Sequence, residues 1–259
     1  MKDLITDSRL AGLEMGSPEW FAAQRRMIQE KPLIRRCYDL WYSRLLRDAD
    51  SVPASRKLTV VELGSGSSYI KRLRPAVITS DIAEGVADMV IDGRELPFPD
   101  HSVAALLLTH VFHHIPNVHA FFSESLRVLV PGGVISMVEC THTPFARLFF
   151  GRIHPEPFND RATEWAFPSK GRMLDSNQAL SWIVFERDLG RFRTLYPTLV
   201  LERWAYLPWF SYLLSGGVNL RSAVPPLLEG VVARLDNILL PLDPMFAIHW
   251  HLTIRKTGE

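Results

Sequence analysis

The spacing of apolar residues changes near residue 58. Before it, Trp20, Phe21, Met27, Ile28, Leu33, Ile34, Tyr38, Trp41, Tyr42, Leu45 and Leu46 return every three to four positions, the period of a helix with one buried face. Ser17-Pro18-Glu19 supplies a capping serine and then a proline at the first helical position, and Pro32 predicts a break. Residues 48–56 read as a linker. From Leu58 the apolar residues come in short, β-branched runs at 60–63, 77–81, 87–92, 103–109 and 134–138. A helical stretch at 117–129 and the turn Pro131-Gly132-Gly133 precede the last of these. This alternation predicts a parallel sheet with crossover helices.

Beyond the fifth run the pattern lapses. Residues 142–175 are rich in Pro, His, Phe and Arg and predict a loop-and-helix insertion. Helical spacing returns at 178–192, with Leu180, Ile183, Val184 and Leu189 as candidate core positions. Two more strands are predicted at 198–206 and 247–254. Between them, 209–242 is apolar but broken by glycines and prolines. The predicted organisation is an N-terminal helical cap at 1–55 and an α/β domain at 56–259, with a lid insertion at about 142–175.

Composition narrows the partners. With 47% apolar and 22% charged residues, the chain has the balance of a soluble globular protein. A net charge of +1 gives no electrostatic case for a nucleic-acid partner. Cys37 and Cys140 lie far apart without metal-ligand spacing, so neither a disulfide framework nor a cysteine metal site is expected, and a cytoplasmic setting fits. The N-terminus has no long apolar core of a signal peptide, and no apolar run approaches the roughly 18 residues of a spanning helix.

The candidate chemistry sits at the strand ends. The first run passes through Glu62 into Gly64-Ser65-Gly66, a turn that lets a ligand approach the backbone. A dinucleotide loop would carry a third glycine near position 69, which here is Tyr. Acids also close the next two runs, at Asp81 and Asp92. A carboxylate after the second strand can accept both hydroxyls of a ribose, and one after the third can accept from an adenine amino group. Glu62 can sense an amine directly or through water. Together these features suit S-adenosylmethionine, which has an amine and no phosphate.

These segments, in this order, resemble the class I S-adenosylmethionine-dependent methyltransferases, of the type 11 group that includes quinone-biosynthesis and natural-product or sugar O-methyltransferases. The matching stretches are 61–67, 80–82, 92–103, Val111-Phe-His113-His114-Ile-Pro116 and 127–133. The resemblance implies a Rossmann-like seven-stranded sheet. It assigns Glu62, Gly64, Ser65 and Gly66 to the methionine end of the cofactor, Asp81 to its ribose, and Asp92 with Gly93 to the adenine side. Thr109, His110 and His114 would lie along the cofactor. One departure stands out: Asp81 and Asp92 are too close in sequence for a full crossover helix between their strands.

His113-His114 has two readings, a hydrogen-bonded structural pair or a base beside the methyl group. Similar O-methyltransferases pair the first such histidine with a carboxylate ending the fifth strand, which implies His113 as base and Glu139 as its orienter or a second base. His154, Glu156 and Asp160 in the insertion do not share a helical face, so no metal is expected there. That segment reads instead as a substrate wall helped by Trp165, Phe167 and Arg172.

The expected reaction is methyl transfer to a small-molecule hydroxyl on a sugar-bearing or natural-product metabolite. Two rival readings remain. One is a lipid-linked or quinone-like acceptor met at a membrane surface, suggested by the apolar C-terminal third. The other is a catalytically silent cofactor-binding module. A nucleic-acid substrate is disfavoured, because no base-flipping motif of the Asn-Pro-Pro-Tyr kind follows the fourth strand.

Overall fold

The computed structural model describes residues 6–53, 57–168 and 175–258. Its centre is a sheet of seven strands: β1 (Thr59–Leu63), β2 (Ile78–Asp81), β3 (Met89–Val90), β4 (Val103–Thr109), β5 (Leu129–Cys140), β6 (Leu199–Tyr206) and β7 (His249–Lys256). The order across the sheet is β3-β2-β1-β4-β5-β7-β6, and β7 runs antiparallel to both of its neighbours. This is the predicted seven-stranded, Rossmann-like arrangement.

The helices depart from expectation. Between β1 and β2 there is only a 3-10 turn, Tyr69–Arg72, and no helix joins β2 to β3 or β3 to β4. A full crossover helix is seen between β4 and β5, at Val118–Val128, capped by the Asn117 side chain on the N–H groups of His119 and Ala120. The face left bare is covered from the N-terminus. Helix α1 (Pro18–Glu30) starts at the predicted cap, where Ser17 Oγ accepts the Trp20 N–H at 3.1 Å. Helix α2 (Pro32–Asp50) follows the Pro32 break and runs to Asp50, so the first residues of the predicted linker are helical. Its buried face, including Ile34, Trp41, Leu45 and Ala49, packs on Val60, Leu107, Val134 and Val138. The second helix of the predicted cap is thus one layer of the core. The opposite face of the sheet, with Leu106, Leu108, Ile135, Met137, Trp250 and Leu252, packs on α3 (Val118–Val128) and on 179–196.

After β5, α4 (Pro144–Arg152) opens the insertion. The 178–192 segment is a short turn, Leu180–Trp182, running into a π-helical turn, Ile183–Arg187, and then α5 (Leu189–Leu195). Between β6 and β7 lie α6 (Phe210–Ser215) and α7 (Glu229–Leu239), with short turns between and after them.

A buried carboxylate ties the end of α2 to the sheet. Asp48, buried near the end of α2, accepts at Oδ2 from Ser136 Oγ (2.6 Å), Thr253 Oγ1 (2.8 Å) and His251 Nε2 (2.9 Å). Ser136 is on β5 and the other two on β7, all on the face that α2 covers. Burial alone would raise the Asp48 pKa, but these three hydrogen bonds hold it below the usual carboxylate range. Asp48→Ala strands three buried donors. We expect a loss of about 3–5 kcal/mol in denaturant unfolding, against about 1 kcal/mol for Ser136→Ala. The Asp48→Ala penalty should shrink as pH falls through the depressed pKa of Asp48, since below it the wild-type carboxylate is protonated as well.

Candidate functional site

The chain adds β2 and β3 on one side of β1 and then crosses to β4 on the other. At that switch the strand ends part, and open α/β sheets bind ligands there. A cavity of about 440 Å³ occupies this position.

Residues 64–67 form one end of it. Gly64 and Gly66 take left-handed backbone angles, φ +60° and +45°. A Cβ on Gly64 would sit 2.5 Å from Val111 Cγ2, and one on Gly66 2.9 Å from the Phe21 ring. Glycine is therefore required for both conformation and space. The Ser65 N–H donates to the Ser80 carbonyl at 2.7 Å. Asp81 accepts the Gly66 N–H at Oδ2 (3.2 Å) and the Ala83 N–H at Oδ1 (3.0 Å). These bonds orient the carboxylate, and Asp81 lines the cavity.

Glu62 stands behind this wall. Its carboxylate is buried, does not line the cavity, and accepts the Tyr42 hydroxyl at 2.6 Å. Tyr42 does line the cavity. Between Glu62 and the cavity stands the Tyr42 hydroxyl. Burial pushes the Glu62 pKa up to about 7, opposed by hydrogen bonds from Tyr42 and Ser65. Asp92 and Gly93 do line the cavity, but the Asp92 carboxylate is taken by the Arg94 guanidinium at 2.6 Å and by the Arg94 N–H at 2.9 Å.

Thr109, His110, His113 and His114 line the other end. His110 holds a left-handed φ of 58°, uncommon for a residue with a side chain. Glu139, fully buried at the end of β5, accepts the Val111 N–H (2.8 Å), the Phe112 N–H (2.7 Å) and His113 Nδ1–H (2.6 Å). It lies behind His113 and does not reach the cavity. His114 donates Nδ1–H to the Asp175 carbonyl at 2.8 Å. Each histidine therefore turns Nε2 toward Glu156, whose carboxylate is 3.6 Å from both. Burial alone would lower the His113 pKa. The charge of Glu139, the hydrogen bond His113 donates to it and the charge of Glu156 outweigh it and raise the pKa to about 10. One proton thus holds two carboxylates together. Burial would raise Glu156, but His113 brings it down to about 2.

The insertion closes the pocket with other residues than expected. Trp165 is buried in the core and donates Nε1–H to Asp188 at 3.0 Å. Phe167 packs against the same core, and Arg172 lies outside the described residues. Phe149, Phe150, His154, Glu156 and Asp175 supply the wall. Asp160 points elsewhere, to His142 and Arg147. Sequence reasoning also missed Trp20, Phe21 and Gln24 from α1, Tyr38 and Tyr42 from α2, Tyr212 from α6, and His249 from β7. Helical periodicity marks the aromatic residues among these as buried. It does not distinguish a core position from a cavity wall.

Residues 61–137 match the methyltransferase domain family. The chain is 35% identical over 66 residues to the demethylmenaquinone methyltransferase of Tropheryma whipplei (strain Twist), covering 24% of this chain and 28% of that protein. It is 29% identical over 156 residues to the uncharacterized protein YafS of Escherichia coli (strain K12), covering 60% and 57% respectively. It thus spans well under two thirds of the curated relatives it matches. Among solved structures, it resembles the complex of the Haloferax volcanii Trm112 methyltransferase activator with a putative methyltransferase, at TM-score 0.51 and 16% identity over 93% of this chain and 95% of that one. The fold is that of the class I methyltransferases.

Because burial raises Glu62 from 4.5 to about 7, the folded state binds a proton more tightly than the unfolded chain. Glu62 therefore weakens the fold as pH rises between those values. Glu62→Gln keeps an acceptor for Tyr42 and removes the titration. We expect it to raise stability at pH 8 by on the order of 2 kcal/mol and to be near neutral at pH 4.5, read by thermal unfolding at both pH values.

Proposed function

We propose that this chain, whose residues 61–137 match the methyltransferase domain family, transfers a methyl group from S-adenosylmethionine to a hydroxyl of a small molecule. The observation that carries the reading is the arrangement at the switch point. A glycine cradle and a locked carboxylate form one end of a single cavity, and an oriented imidazole forms the other. The cradle leaves no space for a Cβ, which suits a ligand lying against the backbone. Asp81 would accept from the ribose hydroxyls and Tyr42 would meet the amine. When bound, the sulfonium supplies an already activated methyl group, so the protein has to align an in-line attack and accept a proton.

His113 accepts that proton at Nε2, and Glu139 fixes its tautomer and ring plane. The gap of 3.6 Å to Glu156 exceeds a hydrogen bond and leaves the Nε2 edge open to an acceptor oxygen. With its pKa raised to about 10, most His113 is protonated near neutral pH, so the basic form grows as pH rises. The products are the methyl ether, S-adenosylhomocysteine and a proton.

Three outcomes test this reading. His113→Ala should lower turnover by about 10²–10⁴-fold while S-adenosylhomocysteine affinity stays within a few-fold in calorimetry. Log kcat/KM should climb with pH to about 10, where His113 loses its proton. Glu156→Gln removes one of the carboxylates that holds that proton, so its ascending limb should lie at lower pH. A flat wild-type profile between pH 7 and 10 refutes His113 as the base. Absence of methyl transfer from radiolabelled donor to any metabolite pool would instead favour the silent binding module.

A second reading rests on the surface of residues 226–246. Leu227, Leu228, Val231, Ile238, Leu240 and Met245 are all exposed there, Leu227 at 92%. Such a patch can rest on a membrane surface and receive a lipid-linked acceptor. No helix among the described residues is long and apolar enough to cross a membrane. On this reading the protein should float with anionic liposomes, and Leu227→Glu with Ile238→Glu should abolish flotation. Protein that stays in the soluble fraction with and without lipid rules the reading out.

A further inference from the structure

The segment after β4 and the insertion meet at one carboxylate. His113 gives Nδ1–H to Glu139 at 2.6 Å, and His114 gives its own to the Asp175 carbonyl at 2.8 Å. Both rings aim Nε2 at Glu156 Oε2, 3.6 Å from each. The three side chains bring one donor atom apiece within 4.8 Å of one another. Glu156 is itself held, since the buried Gln178 amide donates to the same carboxylate oxygen. His113, His114, Glu156 and Gln178 all line the cavity. Such convergence is not what the local backbone favours. His113 and His114 are consecutive in the 3-10 turn Phe112–His114, where neighbouring side chains diverge by about 120°. Their outer hydrogen bonds bring the two rings to 4.3 Å instead.

A histidine that binds an ion through Nε2 gives its other N–H to a carboxylate or a backbone carbonyl, and a ligating carboxylate takes a hydrogen bond of its own. The two histidines here use one acceptor of each kind, and Gln178 supplies the bond to Glu156. A tetrahedral ion with bonds of about 2.1 Å keeps its ligand atoms about 3.4 Å apart, and an octahedral one about 3.0 Å. The separation of 3.6 Å lies nearer the first. Two imidazoles and one carboxylate suit zinc, whereas magnesium and calcium prefer oxygen alone. With neutral histidines, Glu139 and Glu156 carry two negative charges, which a divalent ion balances and a single proton does not. Two other triads lie nearby, His110 with Cys140 and His249, and His113 with Glu139 and Cys140. Their atoms are already spent. Cys140 donates Sγ–H to Gln178 Oε1 at 2.6 Å, and Glu139 accepts three N–H groups.

We infer that His113, His114 and Glu156 form a binding site for a zinc-class divalent ion, with Glu139, the Asp175 carbonyl and Gln178 as outer partners and the fourth coordination position facing the cavity. Residues 154–160 offered no ligand face by their own spacing, because two of the three ligands come from the other side of the cavity, after β4. The site goes beyond the methyl-transfer reading and is measurable without turnover. The two meet at one atom. His113 Nε2 cannot hold an ion and accept a proton at once, so the metal-loaded protein lacks the base assigned above. The ion is in this sense an inhibitor that competes with the acceptor's proton for one nitrogen.

The test is metal binding to the full chain after chelation and gel filtration. Zinc uptake in equilibrium dialysis should reach one ion per chain. Cobalt(II) should give the strong visible bands of a four-coordinate ion, with no thiolate-to-metal band in the near ultraviolet. His114→Ala and Glu156→Gln should each weaken zinc binding by more than about tenfold, and Glu139→Gln, which touches no ion, by about 10–100-fold. Asp160→Asn should bind as the wild type does, because that acid of the insertion is turned to His142 and Arg147. The wild-type stoichiometry and spectrum need no variant and stand as a test even if one fails to fold. Uptake short of one ion per chain, a six-coordinate cobalt spectrum, a thiolate band, or undiminished zinc binding in both His114→Ala and Glu156→Gln overturns the inference. Turnover is read separately, with radiolabelled donor: zinc should stop methyl transfer and a chelator should restore it. If zinc binds as expected and transfer continues, the metal site stands and His113 falls as the base. If zinc does not bind and transfer is lost in His113→Ala, the base stands and the metal site falls.

Discussion

A buried carboxylate needs donors, and Glu139 finds all of its own in one short stretch of chain. With no exposure at the end of β5, it takes the backbone N–H groups of Val111 and Phe112 and the imidazole of His113. Three donors from consecutive residues bend the segment after β4 over the neighbouring strand. Desolvation would otherwise make this charge untenable, so the bend is set by the energetics of a buried ion as well as by packing. The rest of the site follows from it. The bend puts Val111 against Gly64, turns His113 Nε2 outward, and leaves His110 at a strained angle beside β7.

The same principle holds the layers together. Asp48 on α2 reaches into the sheet and is met by Ser136, Thr253 and His251. Helices that usually lie between successive strands are missing between β1, β2, β3 and β4. Their place on that face is filled by a helix that precedes the sheet in the chain. A polar anchor at its end fixes where that helix lies, since apolar packing alone tolerates sliding along a ridge.

How much of this was legible in the sequence depended on distance along the chain. Gly64, Gly66, Asp81, Asp92, His113 and Glu139 all follow or end short apolar runs, and period and punctuation place such residues without knowledge of tertiary structure. The missing helix between β2 and β3 was also visible, as a spacing too short to hold one. The cavity walls were not legible. Phe149 and Trp165 are both aromatic residues in the insertion, yet one faces the cavity and the other is sealed in the core against Asp188. His249 opens a strand whose alternation is plain, but which strand lies beside it decides what its ring meets. Glu62 was legible from its place in the motif, but the Tyr42 hydroxyl between it and the cavity comes from a helix that no local pattern connects to it.

The N-terminal segment meets residues 217–220 beside the cavity. Asp7 N–H donates to the Asn219 carbonyl, Gln24 reaches the Asn219 side chain, and Lys31 is held by the carbonyls of Gly217 and Leu220. Gln24, Asn219 and His249 all line the pocket. During synthesis, therefore, the glycine cradle and its acids leave the ribosome long before the walls that enclose them. A nascent chain can form the first strands of the sheet, but it cannot enclose a ligand until residues beyond 249 have emerged and β7 has slotted between β5 and β6. The cavity is in this sense the last part of the molecule to exist, and an unfinished chain has no enclosed site to offer a ligand.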